Sequence, residues 1–313
     1  MATMNPISAT LTQALSFIDG IIGNYGVSVI VFTLLVRLVL LPLDIKSKKS
    51  MKAMERVRPQ MQALEKKYAQ DKEKYNQKMT ELYQKEKINP MSGCLPLLIQ
   101  MPILFCMFTA MRVVANEKTV EMLLGMMNGV APEFDRFLWI TNIFQPDAFW
   151  QTVIPRHGST LMSVVAVAGS EWLTPENVEA VTAFLSSEEY LVWTAQYGAD
   201  TLRYAAPLMF GQIEIPMQFN GLFILPILSA VSQVLATKLQ PQAAAGTQTE
   251  QQKAQSKMMQ YFFPLFSLWI CATSTSSFAL YWVASNVIQV VQQWALNFYF
   301  DHQEKKAKQI KEA

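Results

Sequence analysis

The amino-acid sequence predicts an all-α polytopic membrane protein with five transmembrane helices and one helical hairpin in water. Of its 313 residues, 51% are hydrophobic and only 16% are charged, whereas soluble domains usually carry about 25% charged residues. The apolar residues form runs long enough to cross a bilayer core, which takes roughly 20 residues as a helix. The basic and acidic residues are segregated along the chain, which is typical of loops that face opposite sides of a membrane.

Residues 1–25 predict an amphipathic helix that lies on the outer membrane surface, with a disordered leader as the alternative. Their apolar residues recur every three or four positions, on one face of a helix. These are Ile7, Leu11, Leu15, Ile18 and Ile22. We expect no cleavable signal peptide, because the stretch contains no Lys or Arg that would form a basic n-region.

The first predicted span, residues 26–43 (GVSVIVFTLLVRLVLLPL), contains one cation, Arg37. Such a cation costs about 2.5–3.5 kcal/mol on insertion scales, and no acid lies in any predicted span to offset this cost. Arg37 lies about 9 Å from the cytoplasmic end at a rise of about 1.5 Å per residue. Two interpretations stay open: the guanidinium snorkels to the inner headgroups, or it faces a water-filled cavity that is open to the cytoplasm.

Residues 44–90 predict an antiparallel helical hairpin in the cytoplasm. They are rich in Lys, Glu and Gln, and their apolar residues recur every three or four positions, which gives each arm one narrow apolar seam. The first arm carries Met51, Met54, Val57, Met61, Leu64 and Tyr68, and the second carries Tyr75, Met79 and Leu82. Both arms are too polar to cross lipid, and Pro59 is expected to bend the first.

The rest of the chain predicts four more spans and a large outer segment. The expected segments are the second span at 94–114, the outer segment at 115–218, the third span at 219–239, a cytoplasmic linker at 240–257, spans at 258–272 and 278–299, and a basic cytoplasmic tail at 300–313. Within the outer segment, residues 152–217 predict a helical insertion that rests on the outer membrane surface. Thr174 followed by Pro175 is typical of a helix start.

The distribution of Lys and Arg predicts the orientation. Residues 44–90 contain 13 Lys and Arg, whereas the much longer stretch 115–218 contains four. Because basic residues favour the cytoplasmic side, we expect a multi-pass plasma-membrane protein with its N-terminus outside and its C-terminus in the cytoplasm.

The residues that enzymes need are not arranged for catalysis. The three cysteines form neither a disulfide framework nor a CxxC metal motif. Both histidines lie outside the predicted spans, and neither HExxH nor GxSxG occurs. We therefore expect no catalytic residue, no metal and no cofactor, and predict that the chain is not an enzyme.

Specific motifs accompany the predicted spans. They include VIVFTLLVRLVLLPL, INPMSGCLPLLIQMPILF, FLWITNIFQPD, LFILPILSAVSQVLATKLQ and ALYWVASN. With these motifs the chain resembles the membrane protein insertases of the YidC, Oxa and Alb type, over all five predicted spans and the hairpin. Residues 152–217 match no part of that pattern. The large outer domain that precedes the first span in Gram-negative relatives is also missing, so a Gram-positive type of plasma membrane is expected.

The resemblance implies a function and a site. Five helices would enclose a polar groove that is open to the cytoplasm and to lipid but closed outside, and the protein would insert nascent membrane proteins into the bilayer. Arg37 would transiently attract acidic or polar residues of the client's outer tail while the client's apolar segment enters lipid. The candidate groove residues are Arg37, Gln100, Ser229, Gln233, Trp282 and Asn286.

The resemblance also implies partners. These are nascent membrane proteins and membrane lipids, and, through the 44–90 hairpin and the basic tail, the ribosome, the Sec translocase and signal recognition components. Two other classes stay open. A membrane-anchored scaffold or assembly chaperone would act through the hairpin and would not need Arg37. A solute transporter is a more distant alternative, because it predicts internal repeats and paired ionisable groups near the membrane midplane.

Overall fold

The computed structural model describes residues 6–86, 95–155, 174–199, 203–208, 211–239 and 257–312. The predictions for the end of the hairpin and residue 94, for 156–173 of the insertion, and for most of the 240–257 linker lie outside these residues. Helices dominate the described chain, which confirms a mostly helical protein. They are α1 (Pro6–Ile22), α2 (Tyr25–Lys67), α3 (Lys72–Lys85), α4 (Leu95–Met127), α5 (Pro175–Leu185), α6 (Glu188–Tyr197), α7 (Ile224–Leu239), α8 (Phe263–Thr273, after a π-helical turn at Met258–Phe262) and α9 (Ser276–Glu312).

Helix α2 joins the first predicted span to the first arm of the hairpin without a break. It runs for 43 residues and contains Pro42 and Pro59. The end of the first span at Pro42 is therefore not the end of a helix, since a proline removes one backbone hydrogen bond without necessarily stopping the helix. Among the described residues, α2 is the one helix that is both long enough and apolar enough over 18 residues to cross a membrane. Ile224–Leu239 and Met258–Thr273 are shorter apolar helices.

The described chain forms two compact units. The first unit comprises Met1–Leu34, Leu104–Ala230 and Phe266–Ser285, and the second comprises Leu35–Ile103, Val231–Leu265 and Asn286–Ala313.

In the first unit, α4 extends well beyond residue 114, the predicted end of the second span. Val120, Leu123 and Met126 in this extension are fully buried, and they belong to one core with Phe184 and Tyr190 of the predicted insertion. The Tyr190 hydroxyl also donates a hydrogen bond to the carbonyl of Pro155. The extension of α4 is thus stabilised by packing within the outer segment, which helix periodicity in the span does not reveal.

The insertion is not wholly helical, which corrects the prediction for 152–217. Two strands, β1 (Arg203–Leu208) and β2 (Gly211–Pro216), pair antiparallel, with Arg203 opposite Pro216 and Leu208 opposite Gly211. Pro207 disfavours a helix here because it has no backbone N–H to donate. Gly211 has a φ of +148°, which only glycine adopts readily.

The start of α7 is fixed by a buried carboxylate in the first unit. Asp147 is fully buried, and its oxygens accept hydrogen bonds from the backbone N–H of Phe223 (3.0 Å) and Leu225 (2.7 Å) and from the Trp139 indole (3.1 Å). The first N–H groups of a helix have no intrahelical acceptor, and this carboxylate accepts a hydrogen bond from one of them in α7. Its negative charge is also stabilised by the positive end of the helix dipole.

In the second unit, α2 and α3 pack along one apolar seam. Val57 and Met61 of α2 are buried against Met79 and Leu82 of α3. The N-terminus of α3 is capped by Asp71, whose carboxylate accepts a hydrogen bond from the backbone N–H of Lys74 at 3.0 Å. The seam is narrow because each helix is polar on its other faces.

Candidate functional site

Arg37 of α2 lies in the second unit. Arg37 is 7% exposed, although Leu35, Leu38 and Val39 beside it on α2 are 47–79% exposed. Its Nη2 donates a hydrogen bond to the Gln289 side-chain oxygen of α9 at 3.4 Å. Around this position α2 therefore directs apolar side chains outward and the Arg37 cation toward protein.

A second set of polar contacts involves the same helix, α9. Asn286 lies three residues before Gln289, so both side chains lie on one face. The Asn286 amide donates to the Ser232 hydroxyl at 3.1 Å and to the Gln233 side-chain oxygen at 3.3 Å. All three residues are buried. Two of the predicted groove residues, Gln233 and Asn286, are thus in direct contact, and α9 also contacts Arg37.

Further polar contacts between α2 and α9 continue toward the hairpin. The Gln292 amide donates to the Asp44 carboxylate at 2.8 Å, and the Lys48 ammonium donates to the Gln293 side-chain oxygen at 2.9 Å. One turn further along α2, Lys52 forms an ion pair with Asp301.

Sequence reasoning missed Lys48, which is fully buried. In the Lys-rich run IKSKKSMK it is indistinguishable by composition from its solvated neighbours Lys46 and Lys49. The available signal was its spacing from Arg37 and Asp44, which places all three on one face of a helix. Burial, and then the nearby Lys52, lower the pKa of the Lys48 ammonium below its ordinary value.

The other three candidate residues have different surroundings. Ser229 and Trp282 belong to the first unit. The Ser229 hydroxyl contacts the carbonyl oxygens of Pro226 (2.7 Å) and Ser267 (3.1 Å). The Trp282 ring packs against Phe278 with a centroid distance of 5.8 Å. Its indole N–H is buried, with no hydrogen-bond partner among the described residues. Gln100 belongs to the second unit and is half-buried. The described residues contain no cluster of His, Cys, Asp and Glu that could hold a metal ion.

Comparison with known proteins gives a consistent family assignment. A family model described as 60Kd inner membrane protein matches residues 17–304. A Fusobacterium nucleatum protein named Membrane protein insertase YidC is 28% identical over 295 residues, which are 93% of this chain and 97% of that protein. A Caldanaerobacter subterraneus protein of the same name is 36% identical over 165 residues, 53% of this chain and 73% of the relative. An Anaeromyxobacter dehalogenans protein of that name is 28% identical over 283 residues, and the match spans 34% of its length.

Proposed function

The chain belongs to the 60Kd inner membrane protein family, and on that premise we propose how it handles its clients. Like the relatives named membrane protein insertases, it is an insertase for nascent membrane proteins and not an enzyme. We propose that Arg37 transiently binds acidic or polar residues in the client's outer tail. The client's apolar segment meanwhile passes sideways into lipid. A polar site at this depth shortens the hydrocarbon path that polar backbone must cross.

The observation that carries this proposal is the direction of the Arg37 side chain. A snorkelling arginine extends along the lipid-facing side of its helix toward the headgroups. Arg37 instead is buried and donates to Gln289, while Leu38 and Val39 occupy the exposed side of α2. The Gln289 oxygen is neutral, so this hydrogen bond does not cancel the positive charge of Arg37. The guanidinium can therefore also attract a carboxylate.

We further propose that five helical segments span the membrane and line a groove open to the cytoplasm. The segments are the first part of α2, α4, α7, the helix over 258–273, and the first part of α9. The groove would include Arg37, Gln233 and Asn286, with Gln100, Ser229 and Trp282 as the remaining candidates. The excess of Lys and Arg in 44–90 supports a cytoplasmic hairpin and C-terminus, and an outer N-terminus.

The hairpin is proposed to recruit partners that deliver clients. Its exposed basic residues, which include Lys49, Arg56, Arg58, Lys66 and Lys67, suit partners with acidic or phosphate surfaces. The ribosome, the Sec translocase and signal recognition components are the proposed partners, together with the basic tail as a contact for ribosomal RNA. The alternative, a scaffold or assembly chaperone acting through the hairpin, predicts that Arg37 can be replaced freely.

The test is insertion of a single-span reporter with an acidic outer tail, in cells depleted of their own insertase. Wild type, Arg37→Ala, Arg37→Lys and a hairpin deletion are compared, with Val39→Ala as the control on the exposed side of the same helix. We expect insertion with wild type, Arg37→Lys and Val39→Ala, and loss with Arg37→Ala. Normal insertion with Arg37→Ala at matched expression would contradict the role of the charge. Loss with the hairpin deletion alone would favour the scaffold.

A further inference from the structure

Three glutamines on α9 each hold one charged side chain of α2. Gln289 accepts from Arg37, Gln292 donates to Asp44, and Gln293 accepts from Lys48. Asp44 and Lys48 are four residues apart on one helix, the spacing at which opposite charges ordinarily pair. In the described part of the chain no ion pair joins them. Each of these three charged side chains of α2 thus forms a hydrogen bond to a neutral glutamine of α9.

The Lys48 ammonium is positioned to bind an anion. An ammonium has three N–H donors, and among the described residues the acceptor of Lys48 is the neutral oxygen of Gln293, at 2.9 Å. Asp301, one of the nearby acids, forms an ion pair with Lys52. Glu55 and Asp301 act on Lys48 at a distance, and its hydrogen bond goes to a neutral oxygen. Burial of a cation that is not directly paired with an acid is costly, so a carboxylate that reached this ammonium would be bound favourably.

We propose that Lys48 is a second carboxylate-binding site for the client. In the absence of a client, Gln293 fixes the position of the Lys48 ammonium, as Gln289 fixes that of the Arg37 guanidinium. This inference rests on the proposed function of Arg37. The client's carboxylate takes the position of the glutamine oxygen on Lys48, and the glutamine side chain turns away. Because Lys48 lies on the hairpin side of Arg37, a tail that arrives from the cytoplasm meets Lys48 first and Arg37 second.

The spacing of the two cations defines the client that uses both. They are 11 residues apart on α2, which is about 16 Å along a helix axis. An extended chain covers that length in about five residues. The preferred client therefore carries two acidic residues about five positions apart in its outer tail.

The discriminating variant is Gln293→Glu, which changes the shape of the side chain little but places a permanent carboxylate on Lys48. If the contact between Lys48 and Gln293 serves only to hold the helices together, an ion pair there preserves or strengthens it. If Lys48 binds the client, the new carboxylate occupies the site. Gln303→Glu is the matched control, because Gln303 lies exposed on the same helix and bonds to Tyr299.

Insertion is measured in insertase-depleted cells for three reporters whose tails carry two Asp five positions apart, one Asp, or Asn at both positions. With Gln293→Glu we expect the insertion rate of the two-Asp reporter to fall about tenfold, the factor that corresponds to the loss of one hydrogen bond to a charged group. The Asn reporter should insert as it does with wild type. Lys48→Gln should behave like Gln293→Glu, and Lys48→Arg and Gln303→Glu should behave like wild type.

Two results overturn the inference while leaving the function of Arg37 intact. In both, wild type inserts the reporters and Arg37→Ala impairs the acidic ones. In one, Gln293→Glu and Lys48→Gln insert the two-Asp reporter at the wild-type rate. In the other, they slow all three reporters equally, which indicates structural damage. If wild type inserts none of them, or if Arg37→Ala is without effect on acidic tails, the proposed function fails first and the inference fails with it.

Discussion

At the scale of single residues, Asp147 and Gly221 illustrate how closely the N-terminal end of α7 is packed. The Asp147 carboxylate binds two backbone N–H groups and an indole, and it lies directly against Gly221. A Cβ atom added to Gly221 would lie 2.0 Å from the Asp147 Oδ1 atom, closer than any non-bonded contact allows. Glycine is required here because any side chain would displace the carboxylate from the start of the helix.

We therefore expect Gly221→Ala to destabilise the protein by about 1–3 kcal/mol, the usual cost of overpacking. Thermal unfolding in detergent or nanodiscs measures this as a lower midpoint. Gly20→Ala is the control, because a Cβ there meets no atom within 4 Å, and alanine favours a helix by up to about 1 kcal/mol. Equal midpoints for Gly221→Ala and wild type would show that Asp147 can move without cost.

Some residue roles could be predicted from the sequence and others could not. Arg37 is evident because it is the one cation in the apolar run of residues 26–43. Thr174 is evident as a helix cap because it precedes Pro175, and its hydroxyl does accept from the Asn177 N–H at 3.2 Å. Lys48 was missed, because its importance lies in its burial against Gln293, a residue 245 positions away. A sequence pattern within one helix cannot specify which helix faces it.

At the scale of elements, local periodicity identifies a helix better than it identifies where that helix ends. The apolar residues of α2 and α3 follow the helical repeat, and four of them form the buried seam. By contrast, α4 continues to Met127 because of long-range packing with Phe184 and Tyr190. The strands β1 and β2 are only six residues each, and such short strands carry little periodic signal.

The hairpin seam gives an element-scale prediction. Met79 is 6% exposed between α2 and α3, and Met79→Ala should weaken the hairpin by about 2 kcal/mol or more. Hydrogen exchange of the α3 amides should become faster, since local opening governs their protection. Gln77→Ala, an exposed position on the same helix, should leave the exchange unchanged. Equal exchange in both variants would mean that the seam does not stabilise the hairpin.

At the scale of the whole molecule, charge distribution supplies the orientation that helix packing alone does not. The stretch 44–90 holds 13 Lys and Arg, against four in 115–218, so the two stretches should lie on opposite sides of the membrane. The mostly helical architecture follows from composition and periodicity. The structure of the outer segment could not be predicted from them, because a mixed and acidic sequence is compatible with many small folds.

Labelling with a membrane-impermeant maleimide tests this orientation. The natural cysteines are first replaced by alanine, and single cysteines are placed at the exposed positions Lys66 and Glu188. In intact spheroplasts, Glu188→Cys should react and Lys66→Cys should react only after lysis. The reverse result would invert the topology, and labelling of both in intact cells would contradict five spans.

Site-specific photo-crosslinking to a stalled client with an acidic outer tail tests directly whether Arg37 binds the client. A photo-reactive residue is placed at Gln289, which contacts Arg37, or at Val39, which is 79% exposed on the other side of α2. If Arg37 binds the tail, we expect Gln289 to crosslink to the client's tail, Val39 not to do so, and Arg37→Ala to reduce the Gln289 product. Crosslinking of the tail from Val39 alone, or a Gln289 product unchanged by Arg37→Ala, would contradict a client site at Arg37.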